Sequence, residues 1–263
     1  MTPSLLLVAA LIGMSTLFAV SFAVARRLNN YGIVDIVWSY SFGGLGLFYA
    51  FFGAGWIVRK AVFATMVMVW SVRLGTHLGR RVISHHPVED GRYVQLRKDW
   101  ARHFTVKMGA FFQMQALSVV VLGAAFFIVN LNPTPQLHWL EITGATLWLL
   151  AVAGEARADA ELATFKRNQS NRGLVCRIGL WRYSRHPNYF FEWLIWVSFF
   201  VFALASPWGW VAAIGPLSIL YLLLRVTGIP LTEEQSLRSK GDAYSHYQKT
   251  TSAFIPWFPK HIS

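Results

Sequence analysis

The sequence predicts an all-α, polytopic membrane protein with seven transmembrane helices, basic cytoplasmic loops and a short C-terminal helix. Three observations carry that expectation. Of 263 residues, 55% are apolar and only 14% charged, against about 25% charged in an ordinary soluble domain. Seven apolar runs approach the roughly 20 residues needed to cross a hydrocarbon core. The 24 lysines and arginines gather in a few loops, so the net charge of +12 reads as topology and not as a nucleic-acid surface.

The expected spans run over 4–25, 32–57, 61–79, 108–130, 139–158, 188–205 and 207–229. The first ends in SFAVA, which resembles a signal-peptide cleavage site. It lacks a basic leader, its apolar stretch is too long, and Arg26 and Arg27 follow it, so it reads as a retained helix. Seven cations lie in 80–107, seven in 157–187 and five from Arg225 onward, whereas NLNPTPQL and ASPWG hold none. The positive-inside rule then places the N-terminus outside and the C-terminus in the cytoplasm, with a bacterial inner membrane as the expected home. Cys176 is the single cysteine, so no disulfide framework or CxxC metal motif is available. With no repeat and no low-complexity linker, residues 1–263 read as one membrane domain. The tail, 230–263, reads as an amphipathic helix broken at Gly241 and ending in AFIPWFP, a composition suited to an interface anchor.

Ionisable residues at membrane depth are costly and mark candidate sites. Asp35 shares a helical face with Trp38 and Ser39, with Tyr40 beside them. Arg73 and His77 stand four residues apart in the third span, where Arg73 could simply neutralise Asp35. Glu155 and Asp159 lie on one face of the fifth span, and Lys166 follows two turns later. The run RYSRHPNYFFEW opens the sixth span. Pro187 suits a first helical turn, Asn188 and Glu192 share a side, and Arg185 and His186 precede the helix. Free N–H groups at a helix start attract anions, so an acid- and amide-bearing face beside a basic rim suits a dinucleotide. Neither a GxGxxG run nor a Walker A sequence is present to bind it in a soluble domain.

The run GLWRYSRHPNYFFEW, with EARADAELATFK upstream, resembles the steroid 5α-reductase-like membrane family, grouped with sterol reductases and isoprenylcysteine carboxyl methyltransferases. The resemblance implies a seven-helix bundle: 1–130 would hold a lipid substrate, and 131–263 would enclose NADPH. By the same resemblance Glu155, Asp159, Asn188 and Glu192 match cofactor-contacting positions, and Lys166 stands where the family has an arginine. Arg73, His77, Arg185 and His186 complete the expected cofactor set. At the substrate carbonyl the 5α-reductases use a glutamate and a tyrosine; this chain offers Asp35 and Trp70 there, with Tyr40 as an alternative phenol. TEEQSLR, with Glu233 and Glu234, resembles the methyltransferase side of the group. The expectation is a monomeric, NADPH-dependent reductase of a carbon–carbon double bond conjugated to a ketone in a steroid or isoprenoid lipid that enters from the bilayer. Asp35 would be the acid. The alternatives are an S-adenosylmethionine-dependent carboxyl methyltransferase and a lipid-binding scaffold without chemistry.

Overall fold

The computed structural model describes residues 1–85 and 87–260, so the last three residues of the expected tail lie outside the described residues. The architecture is all-helical. The order is α1 (Pro3–Leu28), α2 (Ile33–Phe52), α3 (Ile57–His85), α4 (Gly91–Asp99), α5 (Phe104–Leu122), α6 (Ala124–Val129), α7 (Trp139–Arg167), α8 (Pro187–Ala203), α9 (Ile214–Tyr221) and α10 (Ile229–Thr250). No strand forms among the described residues; the one β-type contact is an isolated bridge between Ser184 and Ser252.

Four helical stretches are long and apolar enough to cross a membrane: Pro3–Leu28, Ile33–Phe52, Phe104–Leu122 and Gly209–Thr250. The last is apolar only in its first part, because from TEEQSLRSKGD to its end it is polar. The protein is therefore an integral membrane protein in architecture. The expected count of seven is finer than these four. At the other three expected positions lie α3, then α7, which carries Glu141 and Glu155, and α8, which has only 17 residues.

The chain forms two compact units. The first comprises Met1–His138 with Ala203–Ile214, and the second Trp139–Phe202 with the chain from Gly215 on. In the first unit, α2 and α3 approach closely through small residues, the usual device where apolar surface alone cannot drive helix association. A Cβ on Gly43 would lie 2.8 Å from Ser71 Oγ, and one on Gly75 would lie 2.8 Å from the Tyr40 ring. The Ser71 hydroxyl accepts from Gly43 N at 3.0 Å and donates to Ser39 O at 2.7 Å, so α3 ties directly into the α2 backbone. Around this seam Phe42, Phe63, Trp70, Phe112 and Phe126 are fully buried.

At one end of the same unit the Arg59 guanidinium is 1% exposed. It donates to the carbonyls of Asn132 at 3.0 Å, Thr134 at 2.8 Å and Gln136 at 2.7 Å. Lys60 Nζ donates to Gly53 O at 2.9 Å. Backbone carbonyls thus accept from both cations.

In the second unit α7 and α8 are in near-backbone contact: a Cβ on Gly144 would sit 2.7 Å from Phe202 N and 2.9 Å from Ser198 O. Trp181 Nε1 donates to Ala158 O at 2.9 Å, and Glu161 accepts from Leu180 N at 2.7 Å, which folds the 168–186 loop onto α7. Helix α10 breaks at Gly241, whose φ of 51° and ψ of −129° are non-helical. The break falls where the sequence reading put it. A left-handed φ favours glycine because a Cβ clashes there.

Candidate functional site

In the first unit the polar residues converge on the start of α2. Asp35 lies in its first turn, where a carboxylate meets the helix dipole favourably. Arg92 Nη2 reaches Asp35 Oδ2 at 2.7 Å, and the Tyr93 hydroxyl donates to Asp35 Oδ1 at 2.8 Å. Both partners come from α4, a nine-residue helix in the basic linker, which Asp90 caps by accepting from Arg92 N at 3.0 Å. Asp90 also pairs with the side chains of Arg92 and Arg81. Glu89 completes the fastening: it accepts from Tyr31 N at 2.7 Å and pairs with Arg97, which in turn donates to Asn29 Oδ1 at 2.8 Å.

These contacts tilt the local proton equilibria. Burial pushes the Tyr93 phenol well above its ordinary value, and the Asp35 charge pushes it the same way. Burial alone would raise Asp90, but its bonds with Arg92 more than offset this and hold the carboxyl below the usual range. Burial opposes the Arg92 charge, yet Asp35 and Asp90 hold its pKa above the ordinary arginine value.

Of the catalytic candidates, Asp35 is in this cluster and Tyr40 is not. The Tyr40 ring lies over Gly75, its hydroxyl is 2.9 Å from Thr76 Oγ1, and 41% of the residue is exposed. Trp70 is fully buried against Phe42. Arg73 is half-buried and His77 exposed, both on α3. Sequence reasoning missed Tyr93 and Arg92. The spacing contains one usable signal: RY follows an Asp90 N-cap by two residues, which fixes α4 and hence the direction of both side chains.

The second unit holds the remaining candidates. Arg185 and His186 converge on Glu233 of α10: Arg185 Nε lies 2.6 Å and His186 Nε2 3.2 Å from Glu233 Oε1. Gln248 Nε2 donates to Glu233 Oε2 at 2.9 Å. Arg185 Nη1 also donates to the carbonyls of Gln248 and Thr251, at 2.8 and 2.6 Å. The His186 ring stacks on Tyr189 with centroids 5.4 Å apart. Burial would raise Glu233, yet the hydrogen bonds from His186 and Arg185 outweigh it and bring the carboxyl down to about 2. Arg185 and His186, expected as a basic rim for phosphates, thus have a carboxylate of the tail as partner.

Asn188 and Glu192 share a side of α8 as expected. Asn188 is half-buried, and its amide makes no side-chain hydrogen bond among the described residues. Glu192 accepts from Trp196 Nε1 at 3.0 Å. On α7, Glu155 is buried, Asp159 half-buried and Lys166 exposed. Burial, with the nearby charge of Lys166, pushes the Lys240 ammonium below its ordinary value. Lys166 and Lys240 thus lie within electrostatic reach of each other.

A family model described as "Protein of unknown function (DUF1295)" matches residues 21–251. The chain is 26% identical over 270 residues to the uncharacterized protein C594.04c of Schizosaccharomyces pombe, an alignment covering 90% of this chain and 76% of that protein. No solved structure matches.

Proposed function

The chain belongs to the DUF1295 family, which includes steroid 5α-reductase-like membrane proteins, and from that premise we propose that it is an NADPH-dependent reductase. Its substrate class is a steroid or isoprenoid lipid carrying a carbon–carbon double bond conjugated to a ketone. The observation that carries the reading is the hydrogen bond from Tyr93 to Asp35. The sequence resemblance implies an acid and a tyrosine at the substrate carbonyl, and this pair supplies both.

In such a reduction, negative charge develops on the ketone oxygen as the β-carbon gains a hydride. A donor aimed at that oxygen lowers the barrier, more so where water is excluded. The Tyr93 phenol suits the role because burial and Asp35 both oppose its ionisation, so it keeps its proton. Asp35 orients the hydroxyl until a carbonyl oxygen competes for it, and Arg92 Nη2 pairs with the carboxylate at 2.7 Å. The α-carbon takes its proton from water in the last step, which balances the reaction.

The α7–α8 residues fit a dinucleotide in kind. Asn188 offers an amide for a carboxamide group, Glu155, Asp159 and Glu192 offer acceptors for hydroxyls, and the Lys166–Lys240 pair suits phosphates. When bound, NADPH supplies the hydride. Seven crossings with the C-terminus in the cytoplasm best fit the charge pattern, and the reading takes the protein as a monomer in a bacterial inner membrane.

One observation favours a second reading. Glu233 joins the RHPNY run to the TEEQ tail through Arg185 and His186, and that combination resembles the S-adenosylmethionine-dependent methyltransferase side of the group. Thermal stabilisation of the detergent-purified protein decides between them. NADPH at 100 times its Kd should add about 2.7 kcal/mol, and S-adenosylmethionine should add nothing. The reverse result transfers the protein to the methyltransferase reading, and stabilisation by neither removes both.

A further inference from the structure

A cavity lies in the second unit, beside the Arg185–Glu233 cluster. It has a volume of about 610 Å³ and is lined by Arg177, Arg182, His246, Tyr247, Thr250, Thr251, Phe258, Pro259 and Lys260. Two arginines and a lysine are among them, and none is an acid. Elsewhere in this unit three arginines meet carboxylates: Arg185 meets Glu233, Arg157 meets Glu161 and Arg238 meets Glu234. Among the described residues, the side chains of Arg182 and Lys260 make no ion pair or hydrogen bond. Arg177 has only the Tyr247 ring, 5.1 Å from its guanidinium carbon, and a long bond of 3.4 Å to Ala243 O.

The walls are built and held. Tyr247 is buried, and its hydroxyl donates to the carbonyls of Trp181 and Ser184. The tail segment is fastened over the cavity by backbone bonds from Trp257 N to Tyr183 O at 2.9 Å and from Lys260 N to Thr250 O at 2.8 Å. Phe258 packs edge-on against Tyr183. The same fastening turns an apolar rim outward: Ile255 is 59% exposed, Trp257 69% and Phe258 76%. Exposed aromatic residues beside cations match the head-group level of a bilayer.

We propose that this cavity binds the phosphate group of an anionic phospholipid, with the acyl chains passing over Ile255, Trp257 and Phe258. Arg177, Arg182 and Lys260 surround the phosphate, and the aromatic rim distinguishes a lipid from free phosphate. The proposal stands apart from the reductase reading, which uses other residues.

The test uses full-length, delipidated protein in detergent, titrated with dihexanoyl phosphatidylglycerol, dihexanoyl phosphatidylcholine, inorganic phosphate and NADP⁺ while the melting temperature is followed. Phosphatidylglycerol should stabilise the protein at concentrations at least tenfold below those needed with phosphatidylcholine or phosphate. Each cation near a lipid head group is worth about fivefold in affinity, so Arg182→Gln with Lys260→Gln should weaken phosphatidylglycerol roughly 25-fold. Trp257→Ser should weaken the lipid and leave phosphate unchanged. Arg182→Lys keeps the charge and should keep most of the binding, which separates charge recognition from damage to the fold. Four results overturn the proposal: equal binding of the zwitterionic lipid, equal binding of phosphate, unchanged affinity in the double variant, or displacement of phosphatidylglycerol by NADP⁺. The last would assign the cavity to a nucleotide.

Discussion

Tyr93 and Glu233 are the two side chains on which the rest of the chemistry can be tested singly. Tyr93→Phe removes one hydroxyl and leaves the ring among its aromatic neighbours. Removing one donor that stabilises a developing oxyanion commonly costs about 10²- to 10³-fold, so single-turnover oxidation of bound NADPH with a 3-oxo-4-ene steroid should slow by that order while NADPH affinity holds. A normal rate in a stable Tyr93→Phe protein would remove the phenol from the mechanism, and the same assay on Asp35→Asn asks whether the carboxylate matters beyond holding Tyr93. Glu233 bears on stability. Its carboxyl titrates lower in the folded protein than in the unfolded chain, so the stabilisation is complete above the unfolded value near 4.5 and is lost as pH falls toward about 2. The melting temperature in detergent should therefore drop across that window, and Glu233→Gln should start lower and show a flatter profile. Asp35 was legible in the sequence because an acid near the membrane needs a reason. Its partners were not, since Arg92 and Tyr93 lie 57 and 58 residues further on. The cations of that linker carry a topological meaning that hides the structural one.

Helices with local signals were the legible ones. Pro187 opens α8, and Gly241 breaks α10, because each acts on the backbone at its own position. The span expected over 108–130 is instead two helices, with a seam at Gly123 whose N–H bonds to both Val119 O and Val121 O. The nine residues of α4 were absorbed into a loop, since GRYVQLRKD has no apolar period to mark it. Packing between helices was the least visible level, because it depends on which small residues face each other. Gly144 provides the check. A leucine there would push against the Phe202 backbone, so Gly144→Leu should cost about 1–3 kcal/mol or prevent assembly in detergent. Gly44→Leu on α2, where a Cβ meets nothing within 4 Å, should be tolerated. Equal melting temperatures for the two variants would refute close α7–α8 packing.

For the whole molecule, the charge pattern makes a statement about sidedness. A reporter fused after Ser263 should be cytoplasmic and one inserted in 131–138 external; both on one side would exclude an odd number of crossings between them. The expected orientation would put Arg59 and Lys60 on the outer side, a small violation of the charge rule at the level of sequence. In the fold both cations are buried against carbonyls. The arrangement also has a temporal side. The chain is made from its N-terminus, and the first carbonyl that receives Arg59 lies 73 residues downstream. At about 5–20 residues per second, the ribosome delivers that acceptor only about 4–15 s after the arginine. Through that interval the α2–α3 hairpin carries a charge whose three loop-carbonyl acceptors do not yet exist. Its insertion stays provisional until the 131–136 segment emerges, so a ribosome pause between the two segments would lengthen the period in which the hairpin can invert.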